Sequence, residues 1–115
     1  MSEKVEVLVD AGVCKMKTLI TAFENDMGLV EIHIRSDCPN ILKMSWSIEP
    51  MSPYSEVEAK FSESEVYRLA DEAIPHTACP VPAGIIKALE VAGDLGLKRD
   101  STIHFVQPGE IVDIT

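Results

Sequence analysis

The strongest constraint on the fold is a change in the spacing of apolar residues one third of the way along the chain. In the runs at 4–10 and 29–36, apolar and polar side chains alternate, as in the Val-Glu-Ile-His-Ile run at 30–34. Alternation of this kind predicts strands with one buried face. From residue 38 onward, apolar side chains recur at the three- and four-residue spacing of helices. Because the strands precede the helices instead of alternating with them, the sequence predicts an α+β fold.

The predicted elements follow the order β-β-β-α-α-α-β. Strands are expected at 4–10, 17–24, 29–36 and 101–106, with a short further strand at 111–114, and helices at 38–49, after a capping box at 62–65, and from Pro80 to Gly96. A hairpin loop from Asn25 to Gly28 joins the second and third strands. The expected architecture is an antiparallel sheet of three or four strands with three helices packed on one face, in a single domain spanning 1–115. The residues expected to be buried are Val7, Val9, Ile32, Ile34, Leu69, Ile85 and Leu89, with Ile103 and Phe105 facing inward from the fourth strand.

The charge of the chain limits its partners. Ten Lys and Arg residues against nineteen Asp and Glu residues give a net charge of −9. A field of that sign repels phosphate backbones and anionic lipid, so neither a nucleic acid nor a membrane surface is an expected partner. The first residues lack the basic and apolar regions of a signal peptide, and no apolar stretch has the length of a membrane span. The expected location is therefore the cytoplasm.

Three cysteines are the residues most suited to chemistry. An odd number of cysteines in a chain without an export signal favours reduced thiols, metal ligands or reactive groups over a disulfide framework. Cys38 and Cys79 are each followed by proline, and each precedes a predicted helix. A helix N-terminus favours the thiolate, which is the form that binds metal or acts as a nucleophile.

The predicted topology brings these cysteines together. In an antiparallel meander, the loop that contains Cys14 lies at the sheet end where the third strand finishes, beside Cys38, and the last helix can bring Cys79 to the same place. His76 precedes Cys79 in one loop and is a candidate fourth ligand, with Asp10 and Asp37 as competing oxygen donors. Such a site suits zinc or an iron–sulfur cluster.

The arrangement of these residues resembles that of the iron–sulfur scaffold proteins of the IscU/NifU N-terminal family, over about residues 5–95. The common features are a cysteine between the first two strands, a cysteine that opens the helix after the third strand, and a late His/Cys pair. The resemblance implies that Cys14, Cys38 and Cys79 are metal ligands with His76. It also implies that the partner is another protein, a cluster donor or acceptor.

A second resemblance covers the segment from Cys38 to Leu89. The Cys-Pro-Asn-Ile-Leu-Lys run that begins at Cys38 and the later Ala-Cys-Pro at 78–80 are similar to the TSCPD domain, a small module that is thought to bind metal. The whole chain also resembles an uncharacterised family of small proteins from anaerobic archaea and bacteria, marked by its Asp-Ala-Gly opening at 10–12 and the cysteine that follows.

The sequence does not identify an enzyme. No recognisable nucleophile arrangement or phosphate-binding glycine loop is present, so no catalytic residue is assigned. Two alternatives to a metal-binding module stay open. One is a protein–protein interaction module with structural cysteines and no metal, and the other is a thiol-based redox protein.

The net charge leads to a first testable prediction. We expect no salt-sensitive binding to DNA or RNA, because the acidic protein repels the phosphate backbone. Chromatography on a nucleic-acid column at low salt provides the measurement. Retention at low salt that is lost at moderate salt would contradict the prediction.

Overall fold

Three strands form one antiparallel sheet in the computed structural model, which describes residues 4–114. The strands are β1 (Val5–Asp10), β2 (Lys17–Glu24) and β3 (Val30–Ser36), and they lie side by side in the order β1-β2-β3. Four α-helices follow: α1 (Pro39–Ser45), α2 (Pro53–Val57), α3 (Glu65–Ala73) and α4 (Val81–Ala92), with a 3₁₀ turn at Phe61–Glu63 before α3. The α+β class, the antiparallel sheet and the order of its three strands are confirmed. The predicted number of three helices is wrong, because residues 53–57 of the expected connector form the additional helix α2.

The β2–β3 hairpin is closed by the side chain of Asn25. The Asn25 Oδ1 atom accepts hydrogen bonds from the backbone N–H groups of Met27 and Leu29, at 2.9 and 3.1 Å. Gly28 has a φ of +77°, which favours glycine over other residues. The hairpin loop predicted at 25–28 is therefore confirmed, and it aligns Ile20 with Ile34 across the two strands.

One face of the sheet packs against the helices and forms the core. The buried apolar residues are Val5, Ile20, Ala22, Val30, Ile41, Met44, Val66, Leu69, Ala70, Val81, Ile85, Ala88, Leu89 and Ala92. The predicted burial of Leu69, Ile85 and Leu89 is confirmed. The other four predicted core residues, Val7, Val9, Ile32 and Ile34, are only half-buried at the margin of this core.

Helix α4 lies directly on the sheet because it has no side chain at its point of closest approach. A Cβ atom placed on Gly84 would lie 2.6 Å from Cγ2 of Val9 and 3.3 Å from Cδ1 of Ile20. Near the other end of the helix, a Cβ atom on Gly93 would lie 2.5 Å from Cβ of Pro53 at the start of α2. These two glycines therefore set the position of α4 against both the sheet and α2.

The N-terminus of α3 is held by a buried carboxylate from α2. Glu56 accepts hydrogen bonds from the backbone N–H groups of Glu65 and Val66, at 3.1 and 2.8 Å, and from the hydroxyl of Ser64. The Ser64 hydroxyl in turn accepts a bond from Tyr67 N–H at 3.1 Å. A negative group at this place satisfies the first N–H groups of the helix and interacts favourably with its dipole. The helix therefore begins two residues later than a capping box at 62–65 would place it.

Two helices are shorter than the sequence predicts. The first ends at Ser45 instead of residue 49, where the Ser45 hydroxyl donates to the carbonyl of Leu42 at 2.6 Å. A serine side chain that bonds the preceding turn competes with helix continuation. The last helix ends at Ala92 with Gly93 as its C-cap, so Gly96 is not its stop.

The strands predicted at 101–106 and 111–114 are wrong within the described residues. Residues 101–114 form a segment that we call the C-terminal arm. Every residue of the arm is exposed, and none belongs to the sheet. Ile103 and Phe105, expected to face inward, are 86% and 85% exposed. An alternating pattern becomes a strand only where a partner strand and a core are within reach, and within residues 4–114 neither lies beside the arm.

The position of α4 leads to a second prediction. Gly84→Ala lowers the free energy of unfolding by about 1 kcal/mol, because overpacking against Val9 exceeds the gain in helix propensity. Urea denaturation followed by circular dichroism provides the measurement. Adding Val9→Ala to Gly84→Ala removes the clash, so the double variant is more stable than the sum of the two single effects predicts.

The control for this prediction is Ala83→Gly at the neighbouring exposed position of the same helix. That variant measures helix propensity alone, without contact to the sheet. If Gly84→Ala stabilises the protein, or if its effect adds independently to that of Val9→Ala, then the close approach of α4 to β1 is not the constraint described here.

Candidate metal centre

Two of the cysteine loops meet at one end of the sheet, which we call the cysteine end. Here β1 finishes, β2 begins and β3 finishes, as the pairing of Asp10 with Lys17 and of Thr18 with Ser36 shows. The backbone N–H of Asp37 donates to the carbonyl of Lys17 at 3.1 Å and ties the two loops together. The β1–β2 loop and the start of α1 are therefore neighbours.

Helix α4 begins at the same end. Gly84, in its first turn, lies against Val9 near the finish of β1, whereas Gly93, just beyond its last residue, lies against Pro53. Pro53 follows Met51, which pairs with Val30 at the opposite end of the sheet. Helix α4 thus runs away from the cysteine end, and Cys79, two residues before its first residue, lies at that end.

Cys38 is held by a short chain of hydroxyl groups. It is the N-cap residue of α1 and its side chain makes no capping hydrogen bond. The backbone N–H of Cys38 donates to the Ser36 hydroxyl at 3.0 Å, and that hydroxyl lies 2.7 Å from the hydroxyl of the buried Thr18. The thiol is half-buried against the core. The backbone position of Cys38 is therefore set by the sheet itself.

Cys14 is exposed in a loop whose hydrogen bonds are mostly local. The loop is closed by bonds from Ala11 N–H to the carbonyl of Met16 and from Lys15 N–H to the carbonyl of Gly12, at 3.2 and 2.9 Å. Gly12 has a φ of +84° and Lys15 a φ of 61°. Cys14 is therefore the most accessible of the three thiols and the one least restrained by packing.

His76 and Cys79 belong to one turn. The backbone N–H of Cys79 donates to the carbonyl of His76 at 3.3 Å, which brings these two residues together just before α4. The His76 side chain is exposed, and the Cys79 thiol is half-buried against the core. Cys79 stands next to Pro80, the N-cap residue of α4.

The competing oxygen donors are engaged within the loops. Asp10 accepts a hydrogen bond from Gly12 N–H at 3.0 Å, and Asp37 accepts one from Lys17 N–H at 3.4 Å. Within residues 4–114, His, Cys, Asp and Glu side chains do not gather into a group of three or more that could hold a metal ion. The structure thus brings the three cysteines to one end of the sheet without assembling their side chains, and the ligand set stays a prediction.

One structural residue of this region was not anticipated from the sequence. Ser36 connects Cys38 to the sheet, and its role depends on a contact with Thr18 that lies eighteen positions earlier. Its alignment with Thr18 in the hairpin register is the signal that would have identified it.

The fold and this end of the sheet define a class of protein. It is a small α+β protein with a three-stranded antiparallel sheet, helices on one face and free thiols at one end. The chain belongs to the DUF6951 family: the model of this family, described as a family of unknown function, matches residues 5–105. No curated protein and no solved structure matches the chain. In the described part, 4–114, the helices are too short or too polar to cross a membrane.

The difference in exposure leads to a third prediction. A small alkylating agent such as iodoacetamide modifies Cys14 at least about tenfold faster than Cys38 or Cys79, because thiol reactivity requires access. Peptide mass spectrometry after a short reaction provides the measurement. The Cys14→Ser variant, as control, removes the fast phase alone, whereas equally fast modification of Cys38 would contradict the described burial.

Proposed function

We propose that this protein is a metal-binding module in which Cys14, Cys38 and Cys79 hold a zinc ion or an iron–sulfur cluster, with His76 as the fourth ligand. One observation carries the proposal. Every cysteine of the chain belongs to a segment at the cysteine end, although the three are far apart in sequence. When the loops close, a shared cation offsets the mutual repulsion of the three thiolates.

Three thiolates and one imidazole are suitable ligands for the proposed metals, and their positions show which segments must move for binding. Thiolates with one imidazole are typical ligands of zinc and of iron–sulfur clusters. Because the side chains are not gathered within residues 4–114, binding requires the Cys14 loop and the His76–Cys79 turn to approach Cys38. Both segments are closed largely by local hydrogen bonds, so this movement leaves the sheet and α4 intact. Metal binding is then coupled to ordering of these loops.

The resemblance to the IscU/NifU N-terminal family and to the TSCPD domain adds support and suggests a cytoplasmic carrier that meets a cluster donor or acceptor. The chain departs from the scaffold pattern at two points. Lys15 and Met16 follow the first cysteine where the scaffold family has Gly-Asp, and Thr77 and Ala78 separate His76 from Cys79. These departures weaken the proposal of scaffold activity more than the proposal of metal binding.

A fourth prediction tests the metal site. Anaerobically purified wild-type protein takes up zinc at one site per chain, and Cys38→Ser and Cys79→Ser each weaken uptake by at least about 100-fold, since even loss of an outer-shell partner costs 10–100-fold. Titration with a chromophoric chelator as competitor provides the measurement. Ala78→Ser is the matched control, because it adds a hydroxyl to the same turn and removes no thiol.

Each result of the titration has a definite meaning. Loss of uptake in both cysteine variants with unchanged uptake in Ala78→Ser supports the site. Equal uptake by the wild type and both cysteine variants overturns it and favours an interaction module whose cysteines are structural. Circular dichroism of each variant without metal establishes that the fold is retained.

A further inference from the structure

Six of the thirteen large apolar side chains that are exposed in the described structure lie in the C-terminal arm. Ile103, Phe105, Ile111 and Ile114 are 86%, 85%, 94% and 92% exposed. Side chains of this kind scattered singly over a surface are ordinary, but here they belong to one segment. Covering a segment of this composition with another surface lowers the free energy, because apolar area is removed from water.

The exposed surface area of the chain is larger than that of a compact monomer of the same mass. The chain exposes 8402 Å², whereas a compact folded monomer of 12.6 kDa exposes about 6,200 Å². The excess is about 2,200 Å², and a stable dimer of standard size buries only about 800 Å² on each partner. The uncovered area is therefore sufficient for a stable interface between two copies.

The arm contains a hydrogen-bonded turn. The backbone N–H of Glu110 donates to the carbonyl of Gln107 at 3.0 Å, and Gly109 has a φ of +85°. The imidazole Nε2 of His104 lies 2.8 Å from a carboxylate oxygen of Glu110, which in turn accepts a bond from Gln107 N–H at 2.9 Å. A turn thus joins two apolar segments, and a turn that is already formed lowers the entropy cost of association.

A groove combines residues of the uncovered sheet face with residues at the β3 edge and with Leu42 of α1. This open-face groove has a volume of about 600 Å³ and is lined by Leu8, Lys17, Leu19, Ile34, Arg35, Ser36, Asp37 and Leu42. Leu8 is 64% exposed although it lies in the middle of a strand. The groove contains two basic residues, Lys17 and Arg35, against one acidic residue, Asp37, in a protein with a net charge of −9, whereas the second half of the arm carries Glu110 and Asp113. The groove therefore matches the arm in both apolar character and charge.

We propose that the arm of one copy binds the open-face groove of a second copy of this chain, and that reciprocal exchange of arms gives a symmetric dimer. The arm leaves the body beyond α4, at the end of the sheet opposite the groove, and all its described residues are exposed on their own chain. In such an exchange, each arm is bound by the groove of the other copy, so that no arm or groove is left to bind a third copy. The groove is lined by none of the four proposed ligands, Cys14, Cys38, Cys79 and His76, although the competing donor Asp37 lies in it.

The test is a pair of variants that block the two halves of the contact separately. Phe105→Asp alters only the arm, and Leu8→Asp alters only the groove. Sedimentation analysis at about 100 µM, with reductant and chelator present, shows a wild-type dimer, and each variant weakens dimerisation at least about tenfold. Thr102→Asp is the matched control, because it introduces the same charge at an exposed arm position without removing an apolar side chain.

Mixing the two variants separates the proposed exchange from other modes of association. The intact arm of the Leu8→Asp protein fits the intact groove of the Phe105→Asp protein, so an equimolar mixture recovers part of the dimer. A monomeric wild type, a dimer that Phe105→Asp does not weaken, or a mixture that recovers no dimer each overturns the proposal. Circular dichroism of both variants confirms folding, which the exposure of both positions favours.

Discussion

The close approach of α4 to the sheet at Gly84 is the constraint on which the rest of this structure depends. With no side chain at that position, the helix backbone lies directly over Val9 and Ile20, and the buried side chains of Ile85 and Leu89 enter the core beside it. The same helix meets α2 at Gly93, and α2 supplies the carboxylate that holds the start of α3. A shift of α4 away from the sheet would therefore open the core and loosen both remaining contacts, because close-packed interiors transmit such displacements.

The position of α4 also links the fold to the candidate metal centre. Cys79 precedes α4 and Cys38 precedes α1, so each half-buried thiol is placed by the start of a helix that packs on the sheet. Cys14 is placed differently, in an exposed loop closed by its own backbone bonds. In the proposed function, Cys38 and Cys79 approach each other from the starts of two helices, and the exposed Cys14 loop completes the site when metal is present.

The parts of the fold that follow from local patterns could be predicted from the sequence, and the parts that follow from distant contacts could not. Alternation identified β1 and β3, and Asn25 with Gly28 identified the hairpin that joins β2 to β3, because those signals act within a few residues. The start of α3 was misplaced because its N-cap is Ser64, which is held by Glu56 from eight positions earlier. The strands expected in the arm were wrong because alternation says nothing about whether a partner strand is near. For the site, the meander placed Cys14 and Cys38 at one end of the sheet, but the side-chain distances depend on loops whose conformation no residue pattern specifies.

The central claim is that the three thiols at the cysteine end bind one metal ion, and X-ray absorption at the zinc edge tests it most directly. Protein loaded with one equivalent of zinc is predicted to show three sulfur ligands at about 2.3 Å and one nitrogen ligand at about 2.0 Å. A first shell made only of nitrogen and oxygen ligands would contradict the account.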